Sequence, residues 1–490
     1  MVEITSNTEP PVHERLLIDG EWLDSANRIE VRNPARPDEL VGTIVRGTPE
    51  HVDQAVLAAK RAQRAWAAKS FIERAALLAQ ALDNIDRDIG RRARLFVREN
   101  GKTLPEATGE VAGTAKRQRM ALQYAGELDA GRKMPAPHGR TVVVNRPYGV
   151  VVSIVPWNSP LSLAFTQIVA ALLAGNGVVL KPPESCPLAL TQTVGLFAQA
   201  LPPGIINIIT GLPGEIGDAL TTHKDVGKIG FTGSIAAARH IMANAAQSIK
   251  GVTLELGGND AAILLKDADL SDKTMDAMAG ATFHMTGQVC MAIKRIYVPG
   301  EIAEQFEEAF TKATDRLVVG DGLEASVSMG PLHTARALVR AQGLVDDAKQ
   351  RGAKVEAVGS VANEAVFAQG HFMRPTVVTG LGEDAPLMTE EQFCPVIPIA
   401  RYDDFDNVIE WANDTVYGLS ASLWSRDVDA AMKLAPQLEA GQVWINAHGP
   451  HATNHLAPYG GVKQSGIGRK SAIDGIYEYL QSQTITSYER

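Results

Sequence analysis

Between about residues 149 and 255, short apolar runs alternate with segments of helix length: VVSIV, PLSLAFTQIVAALLAG, VVLK, PLALTQTVGLFAQAL, INIIT, GEIGDALTT, KIGFT, SIAAARHIMANAAQS and VTLEL. The short runs are Val, Ile and Leu without polar alternation, as expected of parallel strands covered on both faces. The rhythm predicts a five-stranded doubly wound unit, whose ligands bind at the carboxyl ends of the strands.

Upstream, Thr48-Pro49-Glu50 reads as an N-cap with proline at the first helical position, opening an amphipathic helix to about Lys69. A second helix is predicted from about Phe71 toward the helix-stop pair Asn100-Gly101. Gly131, Pro135, Pro137 and Gly139 interrupt the helical pattern between about Glu127 and Val144, where TVVVN reads as a strand. QTITSY near the C-terminus is a second lone strand. After Glu255 a second α/β region is predicted, with helices near 271–286, 301–317, 333–350 and 404–413. Its strands fall near 377, 396–400 and 442–446, and neither an internal repeat nor a low-complexity linker is visible.

No charged residue occurs between Arg146 and Lys181, a stretch longer than a bilayer span. Pro147, Pro156, Asn158, Pro160, Gly175, Asn176 and Gly177 cut it into strand, helix and strand lengths, so a membrane segment is not expected.

Composition narrows the classes further. The chain has 490 residues, 45% of them apolar, which excludes a peptide module and argues against disorder. A net charge of −9 without basic runs argues against nucleic acid as a primary partner. Cys186, Cys290 and Cys394 are too few for a disulfide framework, and none lies in a C-x-x-C pair. The opening MVEITSNTEPPVHERLL lacks a basic segment followed by an apolar run, so a cytoplasmic, reducing setting is expected.

Three segments carry candidate chemistry. Phe283-His284-Met285-Thr286-Gly287-Gln288-Val289-Cys290 places a thiol after a predicted helix, behind a glycine that permits close backbone approach; the alternative is a small buried hydrophobe. Leu254-Glu255-Leu256-Gly257-Gly258 ends an apolar strand on a carboxylate, which is either functional or a structural ion pair. In Pro156-Trp157-Asn158-Ser159-Pro160 the asparagine either donates to a developing oxyanion or caps the helix that follows. The loop Asn446–His455 holds three of the 11 histidines and suggests polar substrate contacts rather than a metal site, since no acidic residue accompanies them.

VPWNSP, LELGGND and GQVC, in this order, with Glu255 97 residues after Asn158 and Cys290 35 after Glu255, resemble the aldehyde dehydrogenase superfamily. Lys181-Pro182-Pro183-Glu184, Phe231-Thr232-Gly233-Ser234, Glu390-Glu391-Gln392-Phe393 and Gly460–Gly466 extend the resemblance over nearly the whole chain.

The resemblance implies oxidation of an aldehyde to its acid with NAD. Cys290 is then the nucleophile, forming a thiohemiacetal and, after hydride transfer, a thioester. Asn158 and the Cys290 backbone N–H are the oxyanion donors, and Glu255 the base that activates the hydrolytic water. That glutamate favours hydrolysis over transfer to coenzyme A. Lys181 and Glu184 are expected at the adenosine ribose, Ser234 at the pyrophosphate by way of a helix N-terminus, and Glu391 at the nicotinamide ribose. Ile154, Pro156, Trp157, Gly214, Phe231, Thr232, Gly233, Leu256 and Phe393 complete the expected cofactor contacts. Glu184 repels a 2′-phosphate, hence NAD over NADP. The G-x-G-x-x-G fingerprint is absent; Gly211–Gly217 is an imperfect relative of it.

Ser159, Ser162, Thr166, Val289, Met291, His448 and Tyr459 are the expected substrate contacts, with small residues implying a wide pocket. The expected substrate is a medium-sized aldehyde, aromatic ones included; a semialdehyde is the alternative, which requires an arginine in the pocket. Other readings are a non-catalytic dinucleotide-binding or structural protein, disfavoured by intact Cys290, Glu255 and Asn158, and a cofactor-free esterase or thioesterase. Met285, Ala238 and Cys394 depart from the family pattern, standing where Asn, Gly and Gly are usual. The implied architecture is a Rossmann-like NAD-binding domain (1–124 and 147–256), an α/β catalytic domain (257–460) and a β oligomerisation element (125–146 and 475–490) of a homodimer or homotetramer, with the two lone strands pairing between subunits.

Overall fold

The computed structural model describes residues 9–135 and 139–488. Outside them lie the first eight residues of the N-terminal segment read for a signal peptide, Pro137 of the interrupted segment, and the last two residues of the expected oligomerisation element.

The five predicted strands form the parallel centre of an eight-stranded sheet: Gly251–Glu255, Val226–Thr232, Val150–Ile154, Gly177–Lys181 and Ile206–Ile208, adjacent in that order. Their unbroken apolar character follows from burial on both faces. Val151, Val178 and Leu180 pack with Leu161, Phe165 and Ile168 of the helix Pro160–Leu173. Val150, Val152 and Val179 pack on the other side with Val52 and Val56 of the helix Pro49–Ala67 and with Ile216, Leu220 and Ile241. The charge-free stretch thus resolves into strand, 14-residue helix and strand. Among the described residues no helix is long and apolar enough to cross a membrane.

The sheet extends beyond the predicted unit on both sides. Leu16–Ile18 and Glu21–Leu23 add an antiparallel hairpin, turning through Asp19 (φ 55°) and Gly20 (φ 86°), an Asp-Gly pair suited to a tight hairpin turn. Gly466–Ile467 adds an antiparallel strand against Leu254 and Glu255. The expected second helix is two, Phe71–Asn84 and Ile89–Asn100, because Asp88 (φ 49°) takes a left-handed conformation between them. A further helix, Leu104–Leu122, had no counterpart in the sequence reading, although Thr103 and Glu106 form a capping box at its start.

The second α/β region is a seven-stranded sheet in the order Lys354–Ala357, Thr376–Thr379, Val396–Tyr402, Arg295–Pro299, Ala261–Leu264, Ser420–Trp424, Gln442–Ile445. All neighbours are parallel except the first pair. The helix expected near 271–286 ends at Phe283, and His284–Gly287 follow as a tighter turn.

The two lone strands meet each other: Arg140–Pro147 pairs antiparallel with Leu480–Ser487, with Arg132–Met134 on the outer edge. The two strands expected to pair between subunits thus pair with each other within one chain, and Leu480–Ser487 forms an edge of the sheet.

Candidate active site

Parallel register brings the ends of four strands onto one rim. Ile154 lies opposite Lys181 and Phe231, and Thr232 opposite Glu255. The loop after Ile154 carries Pro156, Trp157 and Asn158, and the second sheet region supplies Cys290 across from them.

Cys290 and Glu255 are in contact: the thiol donates to Glu255 Oε1 over 3.3 Å. Burial, and next the Glu255 charge, push the thiol well above its ordinary pKa, against the pull of Lys294. Cys290 therefore rests as a thiol whose proton faces a carboxylate. The loop that presents it is strongly bent: Met285 (φ 50°), Thr286 (φ 61°) and Gly287 (φ 72°) are all left-handed. A side chain at Gly287 would meet the Cys394 carbonyl oxygen at 2.5 Å. Lys294, itself buried, closes the turn by donating to the carbonyls of Val289 (2.7 Å) and Cys290 (2.8 Å).

Asn158 is buried beside Cys290 in the cavity wall and donates one amide proton to the Gln288 carbonyl over 3.1 Å. Its amide carries a second proton. The loop is braced from below, since Lys102 donates to the Asn158 carbonyl (3.1 Å) and pairs with Glu110 (2.5 Å). Glu110 in turn accepts the Leu161 and Ser162 N–H groups at the next helix's start. Asn158 is thus a loop residue that leaves helix capping to Glu110.

One cavity reaches Cys290, Glu255 and Asn158, and it is lined by Ser159, Ser162, Thr166, Val289, Met291 and Tyr459 as expected. His448 is not in its wall. That ring is buried, bonded to Ser422 Oγ at 2.8 Å and packed 4.9 Å from Trp444, so it belongs to the core of the second sheet. From the same loop it is Thr453 and His455 that face the cavity, while His451 lies against His284. Among the described residues no group of three or more His, Cys, Asp or Glu side chains could hold a metal ion.

The lining also includes Arg117, Gln118 and Lys470, polar residues that the sequence analysis did not name. Arg117 and Gln118 come from the unread helix Leu104–Leu122, whose capping box was the available signal. Arg117 donates to Ser162 Oγ over 2.8 Å and forms no salt bridge among the described residues, and burial lowers its pKa. Lys470 pairs with Glu255 Oε2 at 2.7 Å.

The cofactor residues divide by position. Lys181 pairs with Glu184 at 3.1 Å, leaving that carboxylate partly open to solvent. Ser234 N-caps the exposed start of the helix Ile235–Ala246, accepting the Ala237 N–H, and Gly214 is exposed in the first turn of Pro213–Thr222. Glu391 accepts the Gly258 N–H at 3.2 Å, and its carboxylate occupies the space a side chain at Gly257 would need; burial raises its pKa. Trp157 stacks on His333 at 4.2 Å and meets Phe393 edge-on at 6.0 Å. Ile154, Pro156 and Gly233 are partly exposed along this rim, whereas Phe231 and Leu256 are buried in the core beneath it. Thr232 departs from its expected role, because its hydroxyl is taken by Lys470 (2.5 Å), on the base's side of the strand. Carboxylates that can accept ribose hydroxyls, with free helix N-termini near the rim, suit a nicotinamide dinucleotide.

The three departures are absorbed by packing. Met285 is buried with Val289 and Ala292, Ala238 packs against Ile229 and Phe231, and Cys394 fills an apolar cluster with Leu344 and Val396. Burial pushes the Cys394 thiol up to about 12, an unreactive setting.

The family model described as "Aldehyde dehydrogenase family" matches residues 22–485. The betaine aldehyde dehydrogenase of Bacillus subtilis (strain 168) is 35% identical over 477 residues, covering 96% of each chain. The NADP(+)-dependent succinate-semialdehyde dehydrogenase of Escherichia coli (strain K12) is also 35% identical, over 473 residues and 96% of each. Among solved structures, the Staphylococcus aureus betaine aldehyde dehydrogenase in complex with NAD+ superposes with a TM-score of 0.90 at 34% identity, covering 96% of this chain and 94% of its own. With a match over nearly its full length and a thiol, carboxylate and amide gathered at one cavity, the chain belongs to the aldehyde dehydrogenase family.

Proposed function

We propose that Cys290, Glu255 and Asn158 carry out the family's reaction, and that the substrate is an aldehyde with an anionic far end. The protein is an oxidoreductase that takes an aldehyde to its acid with a nicotinamide dinucleotide. The observation that carries the residue assignment is the 3.3 Å contact between the Cys290 thiol and Glu255 Oε1 at the cavity wall.

As the thiolate attacks the aldehyde carbon, Glu255 Oε1 takes the thiol proton. The Asn158 amide and the Cys290 N–H receive the developing oxyanion. When bound, the nicotinamide dinucleotide would supply the hydride acceptor, leaving Cys290 acylated, and the thiol's proton would pass from Glu255 to solvent. Glu255, then a carboxylate, draws a proton from water. The water oxygen attacks the acyl carbon, the C–S bond breaks, and the acid leaves with Cys290 regenerated. Lys181, Glu184, Ser234 and Glu391 hold the dinucleotide, with Glu184 opposing a 2′-phosphate and so favouring NAD.

Arg117 supports the semialdehyde reading. The half-buried Arg117 guanidinium makes no salt bridge among the described residues, Glu110 acting on it only at longer range, and it lines the cavity alongside His455 and Ser162, where an anionic ligand would offset its burial. Glutarate- and succinate-semialdehyde dehydrogenases are among the relatives. The exposed three-stranded sheet that includes Leu480–Ser487 supports a homo-oligomer, since so small a sheet gains stability by being covered; light scattering on the purified protein checks the mass.

NADH formation at 340 nm with aliphatic, aromatic and acidic aldehydes tests the whole. Cys290→Ala is expected to abolish oxidation, and Glu255→Gln to leave a burst of NADH with slow turnover. Unchanged turnover in either variant refutes the assignments.

A further inference from the structure

We propose that Lys470 is a positioning residue for Glu255: its ammonium tethers one carboxylate oxygen, so that the other stays aimed at the reacting carbon on Cys290. This rests on the reading of Glu255 as the hydrolytic base. Lys470 Nζ lies 2.7 Å from Glu255 Oε2 and 2.5 Å from Thr232 Oγ1, while Oε1 faces Cys290. Both partners are buried, at 7% and 2% exposure.

A buried ion pair rarely justifies itself by stability, so its geometry is the informative part. The terminal torsion of a glutamate is broad and roughly two-fold, and an untethered carboxylate would turn as its environment changed. The tether is itself rigidly mounted. Lys470 exchanges both backbone hydrogen bonds with Tyr459 (2.6 and 2.8 Å), and Ser471 (φ 62°) and Ala472 (φ 50°) follow in left-handed conformations. The Glu255 backbone is pinned from the same segment by its pairing with Gly466.

The groups facing Glu255 come from several elements: the Cys290 thiol from the nucleophile loop, the Thr232 hydroxyl from the neighbouring strand, Lys470, and the partnerless Tyr459 hydroxyl. Glu391 adds negative charge near Cys290, and the Lys294 ammonium is held by the Val289 and Cys290 carbonyls. Lys470 is the cation in direct contact with the carboxylate.

The test is hydrolysis of p-nitrophenyl acetate by the cofactor-free enzyme. In the burst the acetyl C–O bond breaks, the C–S bond to Cys290 forms and nitrophenolate is released; in the steady state water cleaves the thioester. Burst amplitude counts competent sites, so misfolded protein does not enter the comparison. Lys470→Met is expected to acylate but to deacylate about 10- to 100-fold more slowly per site. Lys470→Arg, which keeps the charge and the donor to Oε2, should restore the deacylation rate. Glu255→Gln should deacylate slowly. Should Glu255→Gln behave so while Lys470→Met keeps the native rate, the positioning role is refuted; the same holds if Lys470→Arg deacylates as slowly as Lys470→Met. Normal deacylation by Glu255→Gln would instead remove the base assignment itself.

Discussion

Replacing Arg117 by methionine keeps the volume of the cavity wall and removes its only guanidinium among the described lining residues. A carboxylate about 4 Å from the guanidinium gains about 4 kcal/mol at an effective dielectric constant near 20. Both groups shed water to meet, and a charge-assisted hydrogen bond of this kind nets about 1.5–3 kcal/mol. That corresponds to a loss of about 10- to 150-fold in kcat/KM for aldehydes ending in a carboxylate. A straight-chain aldehyde of equal length has no group to lose and should be oxidised by the variant at near the native kcat/KM. The assay is initial NADH formation with a series of ω-carboxyl aldehydes and their uncharged counterparts, at saturating cofactor. Arg117→Lys should lie between, since a point charge replaces a two-pronged donor. An equal fall for charged and uncharged substrates would refute the anion-binding role, as would a wild-type enzyme that prefers the uncharged series.

Three further outcomes follow from the geometry. Asn158→Ala should lower kcat by about 10²–10³ with little change in cofactor Kd, measured by fluorescence titration; a native kcat would remove Asn158 from the oxyanion site. Glu184→Gln should narrow the preference for NAD over NADP, read as the ratio of the two kcat/KM values, because the carboxylate that repels a 2′-phosphate is gone. His333 is held neutral, its pKa lowered to about 4 by burial, with bonds to the Asn100 carbonyl (3.0 Å) and Ser185 Oγ (2.8 Å). Protonation is then favoured in the unfolded chain, so stability present above about pH 6.5 is lost progressively as pH falls to about 4, by about 3 kcal/mol in all. Urea unfolding of the wild type and His333→Gln from pH 4 to 8 should show a shallower dependence in the variant.

Much of the doubly wound unit was legible because burial on both faces leaves Val, Ile and Leu unalternated, a pattern that Val150–Ile154 and Gly177–Lys181 display in full. Short strands carry too few residues for a pattern: Gly466–Ile467 has two, and exists because Glu255's backbone needs a partner on the sheet's edge. The thiol, carboxylate and amide were singled out through the family resemblance of VPWNSP, LELGGND and GQVC rather than by residue type alone, and the fold brings all three to one cavity. Substrate contacts were harder. His448 and His455 look alike in sequence, yet Ser422 draws one into the core and the other reaches the cavity. Arg117 and Lys470 lie on elements remote in sequence from the nucleophile, and only packing brings them to it.

The order of translation gives the Tyr459–Lys470 rung a meaning of its own. Cys290 and Glu255 are synthesised long before Lys470, which follows the nucleophile by 180 residues (470 − 290). At ribosomal speeds of about 5–20 residues per second, the nascent chain carries its thiol for roughly 10–40 s before the lysine that pairs with Glu255 exists. During that interval the strand Gly251–Glu255 also has an open edge, because its partner Gly466–Ile467 is unmade. The segment that completes the sheet edge beside Glu255 is thus also the one that brings Lys470 to it, and both are made after Cys290.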